Sequence, residues 1–351
     1  MGDRGVGGDP EVSVIVGDFS RRHYLPSALA SLGAQTLPRT RYEVVVTKNY
    51  LDPELDRTLT EAGTTVLFDE EPRIGRWLRR AVNASRAPIV TFLDDDDEFE
   101  PDRLAHLLAV FDQHPDLGFY RNRVTVIDQD GQPVPRERWR RYEADPGFDE
   151  LGPVYLEAGK KGPLLDLATR RTRATFNSST MALRRELLDG DRGDSFERTY
   201  LPDFFLFLAG VLAPRGVYLD DRRLTRYRHY AGNVTREVSW LGRAEASYHD
   251  MAEVAARHRR PEVAEWLTRQ SVHYGRVFRG TALVERVAAR AARREVAQRT
   301  GEYLRYLGQH PKERRWTVDT WAAGAYGIGY LPFAPLVARF ARARAVGPAP
   351  S

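Results

Sequence analysis

Ile89-Val90-Thr91-Phe92-Leu93-Asp94-Asp95-Asp96-Asp97 joins five residues that read as a buried β-strand to four consecutive carboxylates. A short, continuous apolar run of this kind suits a strand covered on both faces, as in a parallel sheet. Four adjacent carboxylates repel one another, and only a cation or a functional demand makes the arrangement tolerable. The run therefore reads as a metal site, with a solvated acidic turn as the alternative. An EF-hand loop starting at Asp94 would need glycine sixth and glutamate twelfth, where the chain has Phe99 and Ala105.

On the N-terminal side, strand and helix signals alternate. Val12 to Val16 is a β-branched run, and Leu25, Leu29 and Leu32 then recur at helical spacing as far as Gly33. Val44 to Thr47 predicts a second strand, Pro53 to Ala62 a helix stopped by Gly63, Thr65 to Phe68 a third strand and Gly75 to Ser85 another helix. Alternation predicts an α/β fold with a parallel, doubly wound sheet. Ligands of such sheets bind at the carboxyl ends of the strands, where the aspartates fall. Beyond them, Pro101 opens a helix with the apolar stripe Leu104, Leu107, Leu108 and Phe111, and Phe119 to Ile127 is strand-like. Residues 132–168 read as a long excursion and a candidate acceptor lid. Ala174 to Leu183 is expected to return to the sheet, and Pro202 to Ala213 to form a helix.

The expected division is a flexible N-terminus over residues 1–10, a catalytic domain over 11–235, and a helical region over 236–351. With 351 residues and 42% hydrophobic content, a substantial core is affordable only as one large domain with an appendage or as two domains. Among 53 basic residues only Lys48, Lys160, Lys161 and Lys312 are lysines. Arginine's planar fork suits phosphate, although a GC-rich genome gives the same bias. The arginines are spread through helices and form no basic stripe with aromatics, which argues against a nucleic-acid partner. The chain has no cysteine, so disulfides and thiolate metal sites are excluded.

Met1 to Pro10 lacks the apolar segment of a secretory signal, and the catalytic part is expected in the cytoplasm. Thr320 to Ala338 is free of charge but interrupted by Gly324, Gly327, Gly329, Pro332 and Pro335, a poor spanning segment. With Arg339, Arg342 and Arg344 following, residues 316–345 suit either a peripheral membrane-surface helix pair on the cytoplasmic face or packing against the preceding helices.

The segment Phe92-Leu-Asp-Asp-Asp-Asp-Glu-Phe-Glu-Pro-Asp-Arg-Leu104 resembles the Asp-x-Asp segment of family 2 glycosyltransferases with the GT-A fold. Val12 to Val16 with Tyr24-Leu25 and Ser31 to Thr36 resembles the family's first strand and helix. Phe176-Asn-Ser-Ser-Thr-Met-Ala-Leu-Arg184, Leu201-Pro-Asp-Phe-Phe-Leu-Phe-Leu208 and Tyr227-Arg-His-Tyr-Ala-Gly-Asn233 resemble its acceptor-side segments, so the likeness covers about residues 12–235. It implies a mostly parallel GT-A sheet and an inverting transfer of a sugar from a nucleotide-diphosphate donor to a hydroxyl of a glycan or lipid-linked acceptor.

Carried over by motif, Asp96 and Asp94 would ligate Mn²⁺ or Mg²⁺, with His229 approaching the metal or diphosphate or serving as an ordinary structural histidine. Asp203 would be the base, or else a plain first-turn helix acid. At the base, a helix N-terminus lowers the pKa while Phe204 and Phe205 could raise it, and the sequence leaves the balance open. Gly17, Asp18, Phe19, Lys48, Arg73, Arg79, Asp94 and Asp95 would serve donor binding, and Asn177, Ser178 and Asp97 the acceptor side. The chain departs from the family at Thr47-Lys48-Asn49-Tyr50, where an acid usually reads the base, and at Pro202 before Asp203, where glutamate is usual. A metal-dependent nucleotidyltransferase and a degenerate sugar-nucleotide-binding scaffold are the rival readings; no Gly-rich phosphate loop supports the former.

Overall fold

The computed structural model describes residues 9–18, 22–71, 73–135, 153–162, 164, 177–230, 238–288 and 293–310. Phe19, most of the 132–168 excursion and residues 316–345 lie outside the described residues. The chain divides into two compact units, Met1–Ala231 and Gly232–Ser351.

In the first unit the strands are β1 (Val12–Asp18), β2 (Tyr42–Lys48), β3 (Thr65–Phe68), β4 (Ile89–Asp94), β5 (Glu98–Phe99), β6 (Leu117–Ile127), β7 (Val154–Leu156), β8 (Met181–Arg184) and β9 (Gly216–Arg228). The helices are α1 (Leu25–Gly33), α2 (Pro53–Glu61), α3 (Ile74–Ala84), α4 (Arg103–Gln113), α5 (Asp191–Arg198) and α6 (Pro202–Leu212). The sheet runs β3-β2-β1-β4-β8-β6-β9-β5, with β7 added on β9. From β3 to β4 it is parallel. From β4 onward it is mixed, because β8 runs antiparallel to both β4 and β6.

The expected parallel sheet is thus its N-terminal half. Strands β1, β2 and β4 are buried on both faces, so their apolar runs are continuous. Val12, Val14 and Val16 pack with Val44, Val46, Leu25, Leu32, Leu104 and Leu107 in one cluster. Parallel pairing brings the ends of β1, β2 and β4 together: Gly17 lies opposite both Thr47 and Asp94. Beyond β4, the short β8 delivers the preceding 3₁₀ turn Ser178–Thr180 to the same end of the sheet.

Pro202 occupies the first turn of α6, and residues 204–211 are all buried. A helix apolar all round belongs inside the protein. Its Gly210 lies on Phe119, where a Cβ would overlap the ring, so close packing of α6 on β6 requires glycine there. Asp203 is the one acid in this helix.

The second unit contains α7 (Val238–Arg257), α8 (Pro261–Ala288) and α9 (Arg293–Gln309), in line with the helical pattern of the sequence. Tyr248 stacks on Tyr274 with centroids 5.2 Å apart, the Tyr306 hydroxyl donates to the Val272 carbonyl at 2.9 Å, and Arg279 pairs with Glu245 at 2.6 Å. Among the described residues no helix is long and apolar enough to cross a membrane.

Candidate active site

The aspartate run turns sharply after β4. The Asp97 N–H donates to the Asp94 carbonyl at 3.1 Å, and the Asp95 N–H donates to the Gly17 carbonyl at 3.2 Å. This turn gathers one carboxylate oxygen each from Asp94, Asp96 and Asp97 within 4.8 Å of one another. Asp95 is fully buried and is not one of the three clustered groups. Burial, and then the charges of Asp96 and Asp94, hold the Asp97 carboxyl well above the usual carboxylate range. Three like charges in so small a space are the physical condition that a divalent cation relieves, and an all-oxygen donor set suits Mg²⁺ or Mn²⁺.

The two oxygens of Asp97 already accept hydrogen bonds, from the Asn177 side-chain amide at 2.8 Å and from the Arg228 N–H at 2.9 Å. Asp97 is thereby fixed in orientation within the group. Asp96 accepts from the Tyr230 hydroxyl at 3.2 Å. His229 is not one of the three clustered groups; its backbone N–H donates to the Ile127 carbonyl at 2.9 Å, just past the end of β9.

Arg228 binds the turn together. Its Nε donates to the Asp96 carbonyl at 2.8 Å, Nη1 to the carbonyls of Asp128 and Gln129 at 3.1 and 3.0 Å, and Nη2 to Glu98 Oε1 at 2.5 Å. The guanidinium also lies 4.6 Å from the ring centroid of Tyr24. Removing it leaves three carbonyls without that donor and Glu98 with Arg226, at 3.1 Å, as its remaining cation. Arg228→Met is expected to destabilise the fold by about 3–5 kcal/mol, read from urea denaturation at unchanged slope.

Across this group stands Asp203. Its carboxyl accepts from the Ser178 N–H and its own N–H and is hydrogen-bonded to the Ser178 hydroxyl, and the Arg121 cation lies nearby. Burial outweighs all four and pushes the Asp203 carboxyl up to about 6. The open balance between helix N-terminus and apolar neighbours thus falls to burial. Ser178 also lies 3.1 Å, Oγ to Oδ1, from Asp94, and Ser179 Oγ accepts from the Asp94 N–H at 3.1 Å. The Tyr227 phenol, held well above its ordinary pKa by burial first, feels the charges of Asp97, Asp96, Asp203 and Asp94, so both carboxylate sets lie about it.

At the neighbouring strand ends Asp18 is directly opposite Lys48, and both are fully buried. The Tyr50 hydroxyl donates to Asp18 Oδ2, while Lys48 Nζ donates to the Tyr50 carbonyl at 2.6 Å and pairs with Asp56 at 2.9 Å. Asp18 Oδ1 has no protein hydrogen-bond partner. The contacts of the two arginines run elsewhere: Arg73 pairs with Glu71 at 2.6 Å, and Arg79 donates to the Leu188 carbonyl at 2.6 Å.

Residues that the sequence reading missed are Tyr50, Arg121, Arg228, Ser179 and Tyr230. Arg121 is one of two arginines in the strand-like stretch Phe119 to Ile127; Ser179, Arg228 and Tyr230 lie in segments already singled out. Tyr50 lies in the Thr47 to Tyr50 segment already noted, but its pairing with Asp18, 32 residues away, has no local signal.

A mixed sheet with an acidic turn at the carboxyl end of β4 and a half-buried acid facing it is the arrangement of a GT-A glycosyltransferase fold. The chain belongs to glycosyl transferase family 2, whose model matches residues 13–190, just over half of the sequence. An uncharacterized glycosyltransferase of Haemophilus influenzae is 32% identical over 114 residues, 31% of this chain and 37% of that protein, so the chain spans little more than a third of that relative. S. aureus TarS 1–349 in complex with UDP superposes with a TM-score of 0.54 at 14% identity, covering 95% of this chain and 92% of that one. The same protein in complex with UDP-GlcNAc gives 0.53 at 15%, with the same coverage. At such identities the likeness bears on the fold alone.

Proposed function

We propose that the protein transfers a sugar, with inversion, from a nucleotide-diphosphate donor to a hydroxyl of a glycan or lipid-linked saccharide. The observation that carries this reading is the Asp94, Asp96 and Asp97 group lying across one serine hydroxyl from Asp203. Asp96 and Asp94 would hold Mg²⁺ or Mn²⁺, which when bound stabilises charge on the departing diphosphate. Asp97, fixed by Asn177 and Arg228, keeps the other two in position. Asp203 accepts the proton of the acceptor hydroxyl as that oxygen attacks the anomeric carbon from the face opposite the leaving group. A base whose pKa lies near 6 is ionised at neutral pH yet more basic than an ordinary aspartate, which suits this work.

The donor's base and ribose are assigned to the ends of β1 and β2, where Asp18 retains an unpartnered buried oxygen able to accept a ring N–H. A uridine diphosphate donor agrees with that single acceptor and with the ligands of the TarS complexes. The lipid-linked option draws on the composition of Thr320 to Ala338 and the arginines after it, which also suggest peripheral attachment to the cytoplasmic face of a membrane. Binding of UDP-, GDP- and dTDP-sugars with Mn²⁺, followed by thermal shift, tests the reading. One donor at a hundredfold excess over its Kd is expected to raise Tm by about 5 °C, only when metal is present. A response restricted to nucleoside triphosphates, with pyrophosphate release, would favour the nucleotidyltransferase reading.

A further inference from the structure

Ser178 opens the 3₁₀ turn before β8 and is almost fully buried. Its hydroxyl touches both halves of the site: Asp94 Oδ1 at 3.1 Å on one side, the carboxyl of Asp203 on the other. A serine hydroxyl has one proton to donate and two lone pairs. Between two ionised carboxylates it satisfies one and turns a lone pair toward the other, which in a buried site is costly. If Asp203 keeps its own proton, both bonds form: Asp203 donates to Ser178, and Ser178 donates to Asp94. A cation on Asp94 draws charge from that carboxylate and makes it the weaker acceptor.

We propose that Ser178 is a positioning residue coupling the two halves of the site, its proton held by Asp94 while the donor site is empty and turned to Asp203 once the donor and its cation are bound. The inference rests on the donor and base assignments above. Its consequence is order: Asp203 becomes a ready proton acceptor only after the donor is in place, and by linkage, proton loss from Asp203 favours donor binding. Arg121 from β6 and Tyr227 from β9 also face Asp203, and Tyr227 feels Asp97, Asp96 and Asp94 as well. Neither changes partners in this scheme; Arg121 sets a constant background, and Tyr227 stays neutral.

The test is carboxyl ¹³C NMR of the full chain labelled at aspartate, titrated from pH 4 to 9 with and without Mg²⁺ and UDP, with the Asp203 signal assigned by its loss in Asp203→Asn. Loading is expected to lower the Asp203 midpoint by about one pH unit, a tenfold change in its proton affinity. Mg²⁺ with UDP carries net negative charge, so its direct field acts in the opposite direction. In Ser178→Ala the downward movement disappears, and Ser178→Thr restores it. An Asp203 midpoint that stays put or rises in the wild type, or falls equally in Ser178→Ala, overturns the coupling while leaving the donor site intact. If Mg²⁺ with UDP leaves the Asp94 and Asp96 signals unmoved, the donor-site reading itself fails, and this inference with it.

Discussion

Asp203→Asn is expected to lower kcat by about three orders of magnitude while leaving donor affinity within a few-fold of wild type. The amide has nearly the shape of the carboxyl and can still accept through its oxygen from Ser178, but it cannot take a proton from the acceptor hydroxyl. Because burial holds the Asp203 carboxyl near 6, the wild-type kcat/KM should fall about tenfold per pH unit below that value, as the base becomes protonated. The sign for stability is the reverse of the usual carboxylate. A folded-state pKa above the ordinary 3.8 means that the favourable contribution is complete below that value and is lost as pH rises through about 6. Asp203→Asn removes that loss, so its Tm relative to wild type should increase between pH 4 and 7. Steady-state kinetics, calorimetric donor binding and melting curves across that range check the three parts. A variant that keeps more than a tenth of wild-type kcat would remove Asp203 from the role of base.

The parts of the fold legible in the sequence are those whose burial is encoded by neighbouring residues. Strands β1, β2 and β4 have continuous β-branched or aromatic runs, and α1 and α4 have apolar stripes, so local pattern and final burial agree there, whereas none of the residues of β3 is buried. β9 was not anticipated: Asp220, Asp221, Arg222, Arg223, Arg226 and Arg228 break any simple period. Its charges are matched by partners far along the chain. Asp220 meets His106 and Tyr120, Arg226 and Arg228 meet Glu98, and Arg222 meets Asp102 and His106. No local signal announces such pairings. The same distinction applies to the site. Asp94 to Asp97 stand out because four acids in a row are physically odd, whereas Ser179 and Tyr230 are ordinary residues given meaning by the carboxylates they meet. Lys48 departs from the family pattern, and its environment accounts for it: the buried ammonium is held by the Tyr50 carbonyl and Asp56.

Asp96→Ala is expected to abolish the metal-dependent thermal response to nucleotide and to lower kcat/KM about a thousandfold, since several kcal/mol of charge stabilisation on the leaving diphosphate would go with the cation. The metal-free protein should respond in the opposite direction. After burial, Asp96 is the charge that raises Asp97 most, so its removal relieves repulsion within the group, and Tm in EDTA at pH 8 should rise above that of wild type. The pairing of a higher metal-free Tm with a lost metal response separates a ligand from a residue that merely supports the turn. Tyr230→Phe supplies the comparison: it deletes only the hydroxyl that donates to Asp96 at 3.2 Å. As a partner that orients a ligand, Tyr230 should cost about tenfold in metal affinity while the metal dependence itself survives. Should Asp96→Ala retain the metal-dependent shift and Tyr230→Phe lose it, the cation would have to bind through Asp94 and Asp97 with the phenol as a ligand, and the order of roles within the turn would be reversed.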